Sequence, residues 1–187
     1  MTADTILVAY ATKHGHTRLV AERIGAVLRE TGRSVELCDL AAAHVDPWPP
    51  EYAAVVVAAS VHGGHHQKSV ARWAKAHATT LGLRPSAFVS VSLTAADDTD
   101  EARATTRRLI DELADETGWT PTTSIAVGGA LQYREYDLPT RVLMRLIARQ
   151  HHAPTDVTRD VDFTDWPAVE RFAQEFAALV ARQPAAR

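Results

Sequence analysis

Along the chain, short unbroken apolar runs alternate with longer stretches in which apolar residues return every three or four positions. The run at 6–10 is too short for a helix and suits a strand covered on both faces, and 34–40, 53–60, 87–93 and 124–129 read as four further strands. Between them, Leu19, Val20, Ile24, Val27 and Leu28 predict a helix starting at His16. Trp73 and Leu81 mark another over 67–81, and Leu109, Ile110 and Leu113 a third over 100–117. The last helix is the best marked. Thr164 or Asp165 stands at its cap, Pro167 in its first turn, and Val169, Phe172, Phe176, Leu179 and Val180 form its apolar stripe. Strands alternating with helices predict an α/β architecture, a parallel sheet covered by helices on both faces. Right-handed crossovers favour a doubly wound, five-stranded sheet in the order 2-1-3-4-5, with ligands beyond the carboxyl ends of strands one, three and four. Residues 1–187 are expected to form one domain, with an extended segment at about 130–163.

Composition changes this picture in few places. With 187 residues, 46% of them hydrophobic, the chain can bury a core without disulfides or structural metal. The single cysteine, Cys38, falls in the second strand without an internal partner, which suits a reducing cytoplasm. No run approaches the ~18 apolar residues of a spanning helix, and residues 1–10 lack the basic start and cleavage site of an export signal. A net charge of −3 gives no global reason to bind nucleic acid. One segment departs from that balance. Over 138–150, Arg141, Arg145 and Arg149 recur at helical spacing beside Val142, Leu143, Leu146 and Ile147. A helix basic on one side and apolar on another suits peripheral contact with the anionic inner face of the cell membrane, and equally suits packing on a core.

The candidate chemistry begins where the first strand ends, at Thr-Lys-His-Gly-His-Thr over 12–17. Hydroxyls at Thr12 and Thr17, a glycine that lets the backbone fold closely round an anion, and a helix N-terminus pointing into the same turn together predict a phosphate site. An NTPase loop would end Gly-Lys-Ser/Thr, whereas this one ends Gly15-His16-Thr17; a dinucleotide loop needs three spaced glycines, and only Gly15 is present. Asp39, closing the second strand, would mimic a ribose-binding acid, but the glycines that accompany that role are missing. The loop resembles the one with which flavodoxins hold the single phosphate of FMN: Thr12, Gly15 and Thr17 fit, and His14 replaces a usual hydroxyl residue. The plain alternative is a strand-to-helix turn that happens to carry threonines.

The resemblance implies noncovalent FMN on Thr12, Lys13, His14, Gly15, His16 and Thr17. The sheet topology adds Ser60, Val61, His62, Gly63 and Gly64 from 60–66, and Ser92, Leu93 and Thr94 from 92–98. Neither of these loops carries the Trp or Tyr that flavodoxins stack on the flavin, which would leave the ring more open to a second substrate. His62, His65 and His66 also invite a metal reading. No Cys or carboxylate lies beside them, and adjacent residues of an extended loop do not face one ion, so no metal is expected. Exposed histidines without a role are the remaining reading, and His151-His152 in a polar connector is weaker still.

Five segments in order carry a closer resemblance: Tyr-Ala-Thr-Lys-His-Gly-His-Thr at 10–17, Ala-Ala-Ser-Val-His-Gly-Gly-His-His at 58–66, Arg-Pro-Ser-Ala-Phe-Val-Ser-Val-Ser-Leu at 84–93, Gly-Gly-Ala-Leu-Gln-Tyr-Arg-Glu-Tyr at 128–136 and Phe-Thr-Asp-Trp at 163–166. Across nearly its whole length the chain resembles the menaquinone-dependent protoporphyrinogen IX dehydrogenase family, flavodoxin-like enzymes of bacterial haem synthesis. Gly63 departs from it, standing where the family often has an aromatic residue. The resemblance implies that protoporphyrinogen IX loses six electrons and six protons, that FMN takes two electrons at a time, and that a menaquinone-like quinone reoxidises it. Loop position brings His62, Gln132 and Tyr133 near the ring, without assigning a catalytic base. Two other readings stay open. A flavodoxin-type electron carrier would offer an acidic docking face, and an NAD(P)H-dependent quinone reductase would turn over with nicotinamide as donor.

Overall fold

The computed structural model describes residues 5–42, 45–131 and 161–182. In chain order its strands are β1 (Thr5–Ala11), β2 (Ser34–Asp39), β3 (Ala54–His62), β4 (His65–His66), β5 (Ser86–Ser92), β6 (Thr123–Gly128), β7 (Ala130–Leu131) and β8 (Val161–Asp162). The α-helices are α1 (His16–Glu30), α2 (Lys68–Ala76), α3 (Ala78–Gly82), α4 (Asp100–Thr117) and α5 (Trp166–Arg182). The principal sheet runs β2-β1-β3-β5-β6, with every neighbouring pair parallel. Counting its long strands alone, this is the expected 2-1-3-4-5 order.

Strand periodicity divides the core into two layers. Ile6, Val8, Val56 and Val89 face α1 and α5 and meet Val20, Ile24, Phe172 and Phe176. Leu7, Val55, Val57 and Phe88 face the opposite layer, where Val70, Trp73, Leu81, Leu113 and Trp119 close over them. Trp119 is fully buried, and its indole N–H reaches the Ser86 hydroxyl at 3.1 Å, so its polar edge is satisfied inside the core. α4 starts and stops at the expected residues because its ends carry their own signals. The Thr99 hydroxyl accepts the Ala102 N–H, and Gly118 leaves the helix at a φ of +72°.

Two expectations are corrected, for the helix over 67–81 and the third strand, and two are narrowed, for the α1 stripe and the α5 cap. The helix expected over 67–81 breaks at His77, whose ring is buried between Trp48 and Trp73 and bonded to Asp46 at 3.1 Å; tertiary packing pulls it out of register. Leu19 lies on the solvent side of α1, 49% exposed, so the stripe begins at Val20. The third strand runs two residues past Ser60 and turns back through Gly63 and Gly64 to pair with β4, so that 60–66 is a hairpin more than a loop. Of the two cap candidates for α5, Asp165 does the capping, accepting the Ala168 N–H at 2.9 Å, while Thr164 is engaged elsewhere. Gln132, Tyr133, 138–150, His151-His152 and most of the extended segment lie outside the described residues.

Candidate functional site

β1 delivers the chain into α1 through a turn that stabilises itself. The Thr12 hydroxyl accepts the Gly15 N–H at 2.9 Å, leaving its own hydrogen to be donated. Gly15 holds a φ of +87°, where a side chain would strain the backbone although space is open around it. From there the first helical amides, Arg18 and Leu19, bond back to the Gly15 carbonyl. The N–H groups of Lys13, His16 and Thr17 find no partner among the described residues. No acid occupies the first turn of α1, so the positive end of its dipole meets no carboxylate from its own helix.

Thr17 supplies the decisive detail. Its side chain is 1% exposed, yet its hydroxyl has no partner among the described residues. A buried polar group left in that state costs about 1–3 kcal/mol, which an incoming acceptor recovers. Thr12, His14, His16 and Thr17 line a cavity of about 70 Å³ with Ser60, Val61 and His62 of β3, Val91, Ser92 and Leu93 at the end of β5, and Gly129 and Ala130 beyond β6. That volume suits a small anion, so a larger ligand extends past the mouth. The residues present fit the phosphate of a flavin mononucleotide: amides, hydroxyls and a helix N-terminus, with no carboxylate in the lining. A larger groove of about 450 Å³ beside β6 is lined by Asp97, Asp98 and Asp165 and lacks this donor set.

The histidines of the sequence reading separate. The rings of His14 and His62 meet edge to face, 5.4 Å between centroids. Burial, with His14 and Lys13 adding to it, pushes the His62 imidazole down to about 4, so it is neutral at pH 7. His66 lies on the other face of the hairpin, bonded to the Ser90 hydroxyl at 2.9 Å and packed on Phe88; burial pushes it down to about 4 as well. No group of three or more His, Cys, Asp or Glu residues suited to a metal ion occurs among the described residues. The hairpin turn places Gly63 and Gly64 at φ values of +58° and +80°, a pair of left-handed residues that a two-residue turn requires.

Nine of the expected contacts therefore converge on one cavity: Thr12, His14, His16, Thr17, Ser60, Val61, His62, Ser92 and Leu93. Gly15 shapes the turn from behind, while Lys13, Gly63, Gly64 and Thr94 lie outside the lining. Asp39 is spent on its own turn, its carboxylate accepting the Ala41 N–H at 2.8 Å. Val91, Gly129 and Ala130 were missed as lining residues; the Gly128-Gly129 pair was their sequence signal. Gly128 has no room for a side chain, since a Cβ there would stand 2.5 Å from the Phe163 carbonyl oxygen. Gly129 donates its N–H to the Ser92 carbonyl at 2.9 Å and so joins the ends of β5 and β6.

The parallel sheet order defines a flavodoxin-like domain, and the flavodoxin domain family model matches residues 7–158. Oxidised flavodoxin 1 from Bacillus cereus superposes with a TM-score of 0.57 at 15% identity, covering 96% of this chain and 99% of its own. Sequence relatives are closer in kind. Protoporphyrinogen IX dehydrogenase (quinone) of Leishmania major is 34% identical over 174 residues, 92% of this chain and 74% of the relative. The Escherichia coli protein of that name is 31% identical over 173 residues, covering 92% and 94%. The chain belongs to the protoporphyrinogen IX dehydrogenase (quinone) family, a family of flavodoxin-like oxidoreductases.

Proposed function

We propose that this protein uses noncovalently bound FMN to oxidise protoporphyrinogen IX to protoporphyrin IX in haem synthesis, passing the electrons to a menaquinone-like quinone. The buried Thr17 hydroxyl, without a partner among the described residues and beside the open amides of α1, carries the cofactor half of this reading. The family supports the substrate half. Bound FMN would supply two-electron chemistry, so complete oxidation of one porphyrinogen takes three rounds with quinone.

The chain's own residues do the binding. The amides of Lys13, His16 and Thr17 and the hydroxyls of Thr12 and Thr17 hold the phosphate, with His14 and Gly15 shaping the turn. Val61, Leu93 and Val91 exclude water from the cavity, and Ser60, His62 and Ser92 form its far side, with Gly63, Gly64 and Thr94 beyond the lining where a ligand larger than the cavity would extend. A neutral His62 offers an uncharged imidazole at that rim, able to accept a hydrogen bond without adding charge.

An anaerobic assay of the FMN-loaded protein, comparing porphyrin formation with and without menaquinone, tests the reading. Quinone-dependent porphyrin formation is expected. None under conditions where a relative turns over refutes it, and brisk NAD(P)H-driven quinone reduction would replace it with the reductase. We further propose that 138–150 rests on the inner face of the cell membrane and brings the protein to its lipid-soluble acceptor. No described helix is long and apolar enough to cross a membrane. The Arg141→Glu, Arg145→Glu double variant should lose flotation with anionic liposomes, and unchanged flotation would end that role.

A further inference from the structure

The cradle is tied to a part of the chain far from it in sequence. His16 is the first residue of α1, and its amide is one of those left open toward the cavity. Its imidazole, 7% exposed, turns the other way: Nε2 lies 2.7 Å from the hydroxyl of Thr164, 148 positions later. The same hydroxyl lies 2.7 Å from the Gly128 carbonyl oxygen at the end of β6. Behind it, Asp162 accepts the Thr164 N–H at 2.9 Å and the Trp166 indole N–H at 3.0 Å, and one of its oxygens stands 3.6 Å from His16 Nε2. The Trp166 ring approaches the imidazole edge to face at 6.1 Å.

These contacts determine where the protons lie. A hydroxyl has one hydrogen, and a carbonyl oxygen can only accept. The Thr164 hydrogen therefore goes to the Gly128 carbonyl or to the Asp162 carboxylate, which can only accept as well, and in either case the bond from His16 requires that Nε2 carry the imidazole hydrogen. The opposite tautomer would set two lone pairs against each other inside a buried contact. The Asp162 carboxylate beyond the hydroxyl reinforces the same choice. Burial lowers the imidazole's affinity for a second proton, with Asp162 opposing it, so the neutral ring is the form to be oriented.

We propose that Thr164 is a positioning residue for the phosphate cradle: it holds His16 as the Nε2–H tautomer and so fixes the first turn of α1 against the end of β6. Thr164 is absent from the cavity lining and acts through His16. The role rests on the phosphate reading of the cradle. Replacing the hydroxyl with a methyl of similar shape leaves Nε2–H without its acceptor, frees the imidazole to change tautomer, and loosens the turn that presents the amides.

The experiment joins a ligand-free and a ligand-bound measurement. Two-bond ¹H–¹⁵N correlation spectra of the ligand-free protein should show His16 as the Nε2–H tautomer, and Thr164→Val should give a mixture of tautomers. Thr164→Val should also weaken FMN by about tenfold to a hundredfold, the worth of one charge-assisted contact, while riboflavin binding hardly changes. Thr164→Ser, which keeps the hydroxyl, should restore both readouts, and it serves as the test if the valine variant fails to fold. An Nδ1–H ring in the parent overturns the positioning role. Equal losses of FMN and riboflavin, or no loss of either, overturn it too. A parent with the Nε2–H ring that binds no FMN overturns the phosphate reading, and the positioning role falls with it.

Discussion

Replacing Thr17 with valine separates what its hydroxyl does for the fold from what it does for the ligand. In the ligand-free protein that hydroxyl is buried and has no partner among the described residues, so exchanging it for a methyl removes a desolvated polar atom and breaks no bond within them. The expected effect on stability is neutral to favourable by about 1 kcal/mol. On the proposed phosphate reading, the same hydroxyl donates to a charged phosphate oxygen in the complex, a bond worth about 1.5–3 kcal/mol. FMN should bind about tenfold to 150-fold more weakly. Riboflavin, which lacks the phosphate, should lose little. Fluorescence titration with both flavins measures the binding, and urea unfolding of the ligand-free variant measures the stability. The reasoning fails if both flavins weaken equally, or if the ligand-free variant loses more than about 1 kcal/mol, since that loss would mean the hydroxyl already serves the fold.

Gly128→Ala should destabilise the protein by about 1–3 kcal/mol, because its Cβ would meet the Phe163 backbone; urea midpoints check this, and an unchanged midpoint refutes the clash. Stability should also fall as pH drops from about 6.5 toward 4. His62 and His66 are held near 4 in the fold, so over that window the unfolded chain binds more protons, and the full contribution is present only above it. Urea midpoints at pH 7 and pH 5 measure the loss, His66→Gln should reduce it, and a flat profile would contradict it. Gly64→Val should weaken the β3–β4 hairpin by about 1–2 kcal/mol, visible as faster amide exchange at His65 and His66, whereas wild-type protection would argue against a strained turn.

The elements legible in the sequence are those whose cause is local. The apolar run at 6–10 could only be a covered strand, and 100–117 carries its cap at Thr99 and its stop at Gly118. The strand-to-helix turn was legible for the same reason, since Thr12, Gly15 and Thr17 lie within it; its service to a phosphate is the proposal made above. His77 was not: helical periodicity runs through it, and only Asp46, Trp48 and Trp73 explain why the helix breaks there. The hairpin over 60–66 was not legible either, since the apolar pattern ends at Ser60 and its second arm is the pair His65-His66, which carries no strand signal. His16 is the sharpest case. Its amide role follows from its neighbours, but its ring answers to Thr164, and no local pattern records a contact made across 148 positions.

The pairing of β7 with β8 brings Leu131 and Val161 side by side. The flavodoxin-like domain thus closes on itself at that point, whatever chain runs between the two strands. An insertion rooted on neighbouring residues adds little to the entropic cost of folding its host, and doubling its length costs only about 0.6 kcal/mol more. Residues 132–160 can therefore lengthen, shorten or change composition while the sheet and its anion cradle stay as they are. In evolutionary terms, on the reading proposed above, change between the two strands need not disturb the turn at 12–17, because the β7–β8 tie fixes where that stretch leaves and rejoins the domain.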